Sequence, residues 1–355
     1  MQKGAIKITK AATSKLASTD FNNLPFGKLF TDHMLIAEYK NGTWGDPEIV
    51  PYGPLSFDPS LISIHYGQSI FEGIKAFRMK DGSAAIFRPE ENLKRFNKSA
   101  HRMAMPDVPA FHFIEGMKQL LTLEDKWIPD AYDHALYIRP FMFASDEVIG
   151  VAPSSKYLFM IILSPVGPYF SNPLKIYVEE QFVRAAPGGV GYAKTAGNYA
   201  ASLYPARLAR EKGFDQVLWM DATEHKYVQE CGAMNVFFVM DGKVITPELS
   251  SGTILDGITR KSILHLAKSM GKTVEEREIS IDELVEGYKK GTLTEAFGAG
   301  TAVTVSKIET LQYKDTQILL DAANMPVADL LKKTMTAMRD GTAPDPDGWM
   351  VKTNA

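Results

Sequence analysis

Cysteine is nearly absent from this chain: Cys231 is the only one in 355 residues. A lone thiol excludes an intrachain disulfide framework and suits a reducing compartment. Long apolar runs are absent as well. The longest, near 157–163, is far too short to cross a bilayer and reads as a buried strand. A surplus of one charge is also lacking, because 39 Lys and Arg stand against 42 Asp and Glu, a net charge of -3. Nothing in that balance selects nucleic acid or an anionic membrane as partner. The N-terminus, MQKGAIKITKAATSKLASTD, has no apolar core of a secretory signal. Its basic, Ser/Thr-containing character leaves a transit-like leader open, and cytoplasm is the expected compartment.

Several chemical signatures are missing too. In GGVGYAKTAG, Gly189 and Gly191 have the spacing of a dinucleotide fingerprint, but Lys194 stands at the third position. Gly298-Ala299-Gly300 fails in the same way at Val303. There is no P-loop and no nucleophile elbow. The seven histidines form no pair at helical ligand spacing, so no metal site is expected.

What is present is an ordinary globular mixture, 45% hydrophobic and 23% charged, in a chain long enough for two domains. Asn41-Gly42 after an extended run signals a hairpin. Pro89 opens a helix over about 91–105, and a second helix is expected over 110–126. Strands follow at 135–143 and 157–163. The stretch 164–173 carries three prolines in ten residues, so neither a helix nor a central strand should run through it. It divides the chain into a small N-terminal α/β domain, 1–164, a linker, 165–173, and a larger C-terminal domain, 174–355. The second half reads as a strand at 174–185, a glycine-rich loop and a helix at 199–212. Strands at 216–221, 235–240 and 243–246 come next. Helices follow at 258–270, at 281–290 with a capping box from Ser280 to Glu283, and at 327–339. The fold class is mixed α/β.

Lys194 lies among Gly188, Gly189, Gly191, Ala193, Ala196 and Gly197. Alone, such a lysine is most often a solvated loop residue. Small neighbours also clear space for a flat ligand, and a buried amine suits Schiff-base chemistry. Asp256-Gly257-Ile258-Thr259-Arg260 opens a helix, where free amides and the dipole attract an anion. Arg95 could clamp a phosphate or lie on the surface. Gly298 to Ala302 offers further amides and a hydroxyl. Glu230 is either a buried acid or a turn acid.

Eight segments resemble one family in the same order: FGKLFTDHMLIAEY, ISIHYGQSIFEGIKAF, FRPEENLKRFNKSAHRM, LYIRPF, YAKTAGNYAASL, QECGAMNVFFV, LDGITRKSIL and EAFGAGTAVTV. That family is the branched-chain aminotransferases, pyridoxal-phosphate enzymes of the D-alanine-aminotransferase-like fold, or fold type IV. The resemblance runs from about residue 21 to beyond residue 340. It implies two α/β domains with pyridoxal 5'-phosphate at their interface, the C-terminal one binding most of the cofactor, and a homodimer completing each site. It implies ping-pong transfer of the amino group of Leu, Ile or Val to 2-oxoglutarate.

Residue by residue, the resemblance makes Lys194 the Schiff-base lysine and proton shuttle, and Tyr199 the partner of the cofactor's phenolic oxygen. Glu230 takes the carboxylate that pairs with the pyridine nitrogen. Arg95, the amides of Ile258 and Thr259, and the Thr301 hydroxyl would hold the phosphate; Arg88 is not the matching arginine. The amides of Thr301 and Ala302 would take the substrate carboxylate. Phe71, Tyr137 and Ala233 would line the side-chain pocket. Phe26, Tyr66, Ile149 and Val151 are implied to reach it from the partner subunit. Arg139 is similar to the arginine that accepts glutamate's second carboxylate. Mammalian members carry Cys-x-x-Cys where this chain has Val303 and Ser306, so that thiol regulation is not expected, and Cys231 is assigned no role. The D-amino-acid aminotransferases and aminodeoxychorismate lyases of the same fold are the nearest alternatives. A non-catalytic binding protein on the same scaffold is a third.

Overall fold

The computed structural model describes residues 6–353. The chain divides into two compact units. Of the described residues, the first takes those up to Tyr169, the short piece Ala193–Ala196 and those from Thr336 on; the second takes Phe170–Tyr192 and Gly197–Met335. The break after Tyr169 falls inside the expected linker. The return of 193–196 and of the last residues to the first unit has no marker in the sequence, because long-range pairing decides it.

Among the described residues the first unit holds a ten-stranded sheet. Its main path runs Lys7–Ile8, Glu48–Pro51, His33–Lys40, Tyr157–Val166, Ala135–Ala144, Ile74–Arg78, Ala84–Phe87, Met350–Lys352. Thr43–Trp44 and Ser69–Phe71 pair beside it. The Asn41-Gly42 turn has φ of 53° and 77°, the left-handed pair that joins twisted antiparallel strands. The helix Pro89–Arg102 places Phe96 in the core, where its ring meets Phe113 and Phe159 at centroid distances of 5.5 and 5.7 Å. Each such buried ring contributes roughly 1.5–3 kcal/mol. The second expected helix is broken into a π-helical turn, Phe111–Glu115, an α-helix, Gly116–Leu123, and a 3-10 turn, Asp125–Trp127.

Two prolines lie within the long strands, contrary to the linker expectation for 165–166. Pro165 pairs with Leu136 on one side only, because the other neighbouring strand reaches no further than Ile161 in its pairing. Pro140 stands where the strand 135–144 changes partner, from Ile74–Arg78 at Ile138 to Ser69–Phe71 at Phe141. A missing N–H costs little where no ladder bond is due.

The second unit holds a nine-stranded sheet among the described residues. Val228–Cys231 pairs with both Gln216–Met220 and Met234–Met240. The path therefore closes a ring of six strands through Leu174–Val178, Thr304–Tyr313 and Leu293–Gly300. Residues 179–185 leave the ladder after Val178 instead of extending it as expected. Helix Ala196–Glu211 begins earlier than its expected start, while Ile258–Ser269 and Ile281–Lys289 match their patterns closely. The Ser280 side chain caps the latter by accepting from the Glu283 amide at 3.1 Å. Among the described residues no helix is long and apolar enough to cross a membrane.

Candidate active site

The first unit brings Lys194, Phe71, Arg95, Tyr137 and Arg139 together. Residues 193–196 lie along Ser69–Phe71: Ile70 bridges Thr195, and the Phe71 amide donates to the Lys194 carbonyl at 3.0 Å. The Thr195 hydroxyl donates to Ser69 O at 2.7 Å. The Lys194 amide donates to the buried Ser99 Oγ at 2.9 Å, and that hydroxyl donates to Arg95 O at 3.0 Å. One helix thus fixes both the lysine backbone and the arginine. The Lys194 Nζ stands 4.6 Å from the Phe71 ring centre.

Arg95 is buried against Glu72, which is fully buried; Nε meets Oε1 and Nη2 meets Oε2, each at 2.7 Å. This is the parallel fork that arginine makes best. Glu72 and Ser99 are the residues that sequence reasoning passed over, for nothing local marks them.

On the same side, Arg139 lies 4.6 Å from the Phe71 ring and 5.3 Å from the Tyr137 ring. Its Nη2 donates to the Tyr137 hydroxyl at 3.1 Å, while its buried Nε has no hydrogen-bond partner among the described residues. Gly73 is required here, since a Cβ would come within 2.2 Å of the Tyr137 hydroxyl. Phe26 packs edge-on against Tyr137 of its own chain at 5.0 Å, so it reaches this ring without a partner subunit. Tyr66, Ile149 and Val151 are instead exposed, at 43, 70 and 90%.

The second unit gathers Glu230 and the loop before helix Ile258–Ser269. Glu230 is a buried acid in the strand Val228–Cys231, paired with Asn235 across the Gly232-Ala233 turn. Its Oε1 accepts from the Asn235 amide nitrogen at 3.2 Å and from Leu255 N at 3.1 Å. Its Oε2 lies 2.8 Å from Arg184 Nε. Asn235 also donates to Leu255 O at 2.9 Å, and a Cβ on Gly257 would lie 1.9 Å from its Oδ1. The carboxylate is therefore tied to the loop that feeds the helix. No side chain among the described residues caps that helix at Gly257, and Ile258 and Thr259 are buried at its start. Orphan amides in a buried helix start suit a phosphate.

Thr301 and Ala302 occupy the turn between Leu293–Gly300 and Thr304–Tyr313. Gly298 lies within the strand, with room for no side chain beside Met234. Tyr199 lies in the first turn of its helix, and Ala233 sits exposed at its hairpin turn. Burial pushes the Cys231 thiol well above its ordinary range, with Glu230 adding to the effect, so it is a poor nucleophile.

The Amino-transferase class IV model matches residues 69–310. The chain belongs to that family. It is 51% identical over 98% of both chains to the probable branched-chain-amino-acid aminotransferase of Staphylococcus aureus MRSA252. It is 45% identical to branched-chain-amino-acid aminotransferase 2 of Bacillus subtilis 168, covering 100% of this chain and 99% of that one. Among solved structures, the Escherichia coli branched-chain amino acid aminotransferase superposes with a TM-score of 0.76 at 27% identity, covering 91% of this chain and 99% of that one. The T.th. branched-chain amino acid aminotransferase, solved with pyridoxamine 5'-phosphate, gives 0.74 at 27% identity, covering 90% and 98%.

Proposed function

We propose that this protein is a pyridoxal 5'-phosphate-dependent branched-chain L-amino acid aminotransferase that passes the amino group of Leu, Ile or Val to 2-oxoglutarate. The observation that carries the reading is the Lys194 amine set against an aromatic wall on which Arg139 is the polar group. Within the second unit alone the residues fit the cofactor, with a buried carboxylate for its ring nitrogen and the amides of a helix start for its phosphate.

When bound, the cofactor supplies an electron sink that lets a proton leave the substrate Cα. Lys194 would anchor it through Nζ, and once the substrate's own amine takes that place the freed Nζ would carry that proton. Glu230 holds the proton on the ring nitrogen, which keeps the sink effective. Tyr199 hydrogen-bonds the phenolic oxygen. Arg95, the amides of Ile258 and Thr259 and the Thr301 hydroxyl hold the phosphate, and the Thr301 and Ala302 amides take the substrate α-carboxylate. Phe71, Tyr137 and Phe26 exclude water around an aliphatic side chain. Arg139, whose Nε has no hydrogen-bond partner among the described residues, suits the second carboxylate of glutamate, so one pocket serves both halves of the cycle. The exposure of Tyr66, Ile149 and Val151 supports a homodimer in which these side chains complete the partner's pocket.

The test is direct. Purified protein loaded with pyridoxal phosphate is yellow, and borohydride followed by peptide mapping finds the label on Lys194. L-Leu, L-Ile, L-Val and L-Glu bleach the band in single half-reactions, while D-isomers do not. A Lys194→Ala variant that still transaminates L-leucine would overturn the assignment. Preference for D-alanine would favour the D-amino-acid branch instead.

A further inference from the structure

Arg184 lies in the loop that leads to Lys194, and its side chain is only 9% exposed. It faces three things at once. Nε is 2.8 Å from Glu230 Oε2, though its N–H is not aligned on that oxygen, so the contact is ionic. Nη2 donates to Gly191 O at 3.1 Å and to Thr253 O in a very short bond. Gly191 and Thr253 are pressed together, for a Cβ on Gly191 would lie 2.4 Å from Thr253 O and 2.5 Å from Ala185 Cβ. One guanidinium thus joins the glycine-rich loop, the loop entering the helix Ile258–Ser269, and the buried carboxylate. A carboxylate 5% exposed is costly without a cation, and its orientation is only as fixed as its partners.

We propose that Arg184 is a positioning residue for the cofactor's ring nitrogen, acting through Glu230 by holding that carboxylate ionised and aimed while it clasps the two flanking loops. The proposal rests on the reading of Glu230 as the ring-nitrogen partner. The guanidinium need not touch the cofactor. It acts by removing the alternative in which a buried acid takes the proton for itself or turns toward another donor.

The experiment uses full-length protein stripped of cofactor: wild type, Arg184→Met, Arg184→Lys, Glu230→Gln, and the Met/Gln double variant. Each is checked for fold by circular dichroism and titrated with pyridoxal phosphate carrying 15N in the ring. Arg184→Met should weaken cofactor binding about ten- to a hundredfold and move the 15N resonance toward that of a neutral pyridine. Arg184→Lys should recover part of both. The double variant should bind no more weakly than Glu230→Gln alone, as expected of two residues acting in one chain of contacts. Wild-type affinity and resonance in Arg184→Met, or losses that simply add in the double variant, would overturn the proposal. If Arg184→Met does not fold, Arg184→Lys, alone and combined with Glu230→Gln, gives the same comparison. A Glu230→Gln protein with wild-type affinity and resonance would instead overturn the reading of Glu230 on which the proposal stands.

Discussion

Replacing Glu72 with glutamine should destabilise the cofactor-free protein, and the cofactor's phosphate should restore much of what is lost. Glu72 is fully buried, and both its oxygens are engaged by Arg95 at 2.7 Å. Its Oε2 also accepts from the Gly73 amide at 3.2 Å. Glutamine keeps the shape but sets an NH2 against a guanidinium N–H and leaves a buried cation unbalanced. Breaking one side of a buried pair costs about 3–5 kcal/mol, and the acceptor that glutamine retains puts this case near the lower end. For a unit of this size that is a fall in Tm of about 6–12 °C. A phosphate dianion at Arg95 supplies the missing charge, and it no longer competes with a carboxylate for the fork. At saturating cofactor the gap should shrink by the difference in binding energy: a variant that binds about tenfold more tightly recovers about 1.4 kcal/mol, roughly half of it. Differential scanning calorimetry of both proteins, with and without pyridoxal phosphate, measures it. A gap of the same size in the loaded proteins would refute Arg95 as a phosphate ligand, and equal Tm values without cofactor would refute the energetic argument.

Three further outcomes follow from the geometry. Gly257→Ala places a Cβ 1.9 Å from Asn235 Oδ1 and should weaken cofactor retention about ten- to a hundredfold, read as release on gel filtration; unchanged retention counts against the phosphate loop. Tyr137→Phe removes the hydroxyl that Arg139 addresses at 3.1 Å, so kcat/KM in the L-glutamate half-reaction should fall about tenfold further than for L-leucine; an equal fall would contradict the role of Arg139. The Asp221 carboxylate accepts four backbone amides, from Thr223, Glu224, Lys226 and Tyr227. Burial pushes its pKa up, but those amides outweigh burial and hold it below the usual range. Its contribution is then full above about pH 4 and lost as pH falls through the lower folded value. Asp221→Asn should cost about 1–3 kcal/mol at neutral pH in urea titrations, and the difference should shrink as the pH is lowered through the carboxylate range. A difference that stays constant over that range would show that the turn does not depend on the charge.

The readable parts of this fold are those that local chemistry specifies. The Asn41-Gly42 turn, the Ser280 cap and the apolar spacing of 258–269 fix their own conformations. Lys194 was legible only in company, because its glycine-rich neighbourhood is equally that of a surface loop. Glu230 could not be told from a turn acid until its hairpin with Asn235 was closed and its burial known. Glu72, Ser99 and Arg184 left no signal. Their meaning lies in partners 23, 95 and 46 positions away, and no window of the sequence holds both ends. Pro165 misled for a related reason: whether a strand tolerates proline depends on whether a neighbour is waiting for its amide.

Cys231 is the only thiol in the chain, fully buried in a strand of the closed ring beside Glu230. A thiol reagent can therefore reach this protein only when that ring opens. The rate of labelling becomes a clock for the opening of the sheet that carries the candidate ring carboxylate. Its slowing when pyridoxal phosphate is added would report, without any engineered probe, how tightly the cofactor holds that sheet shut.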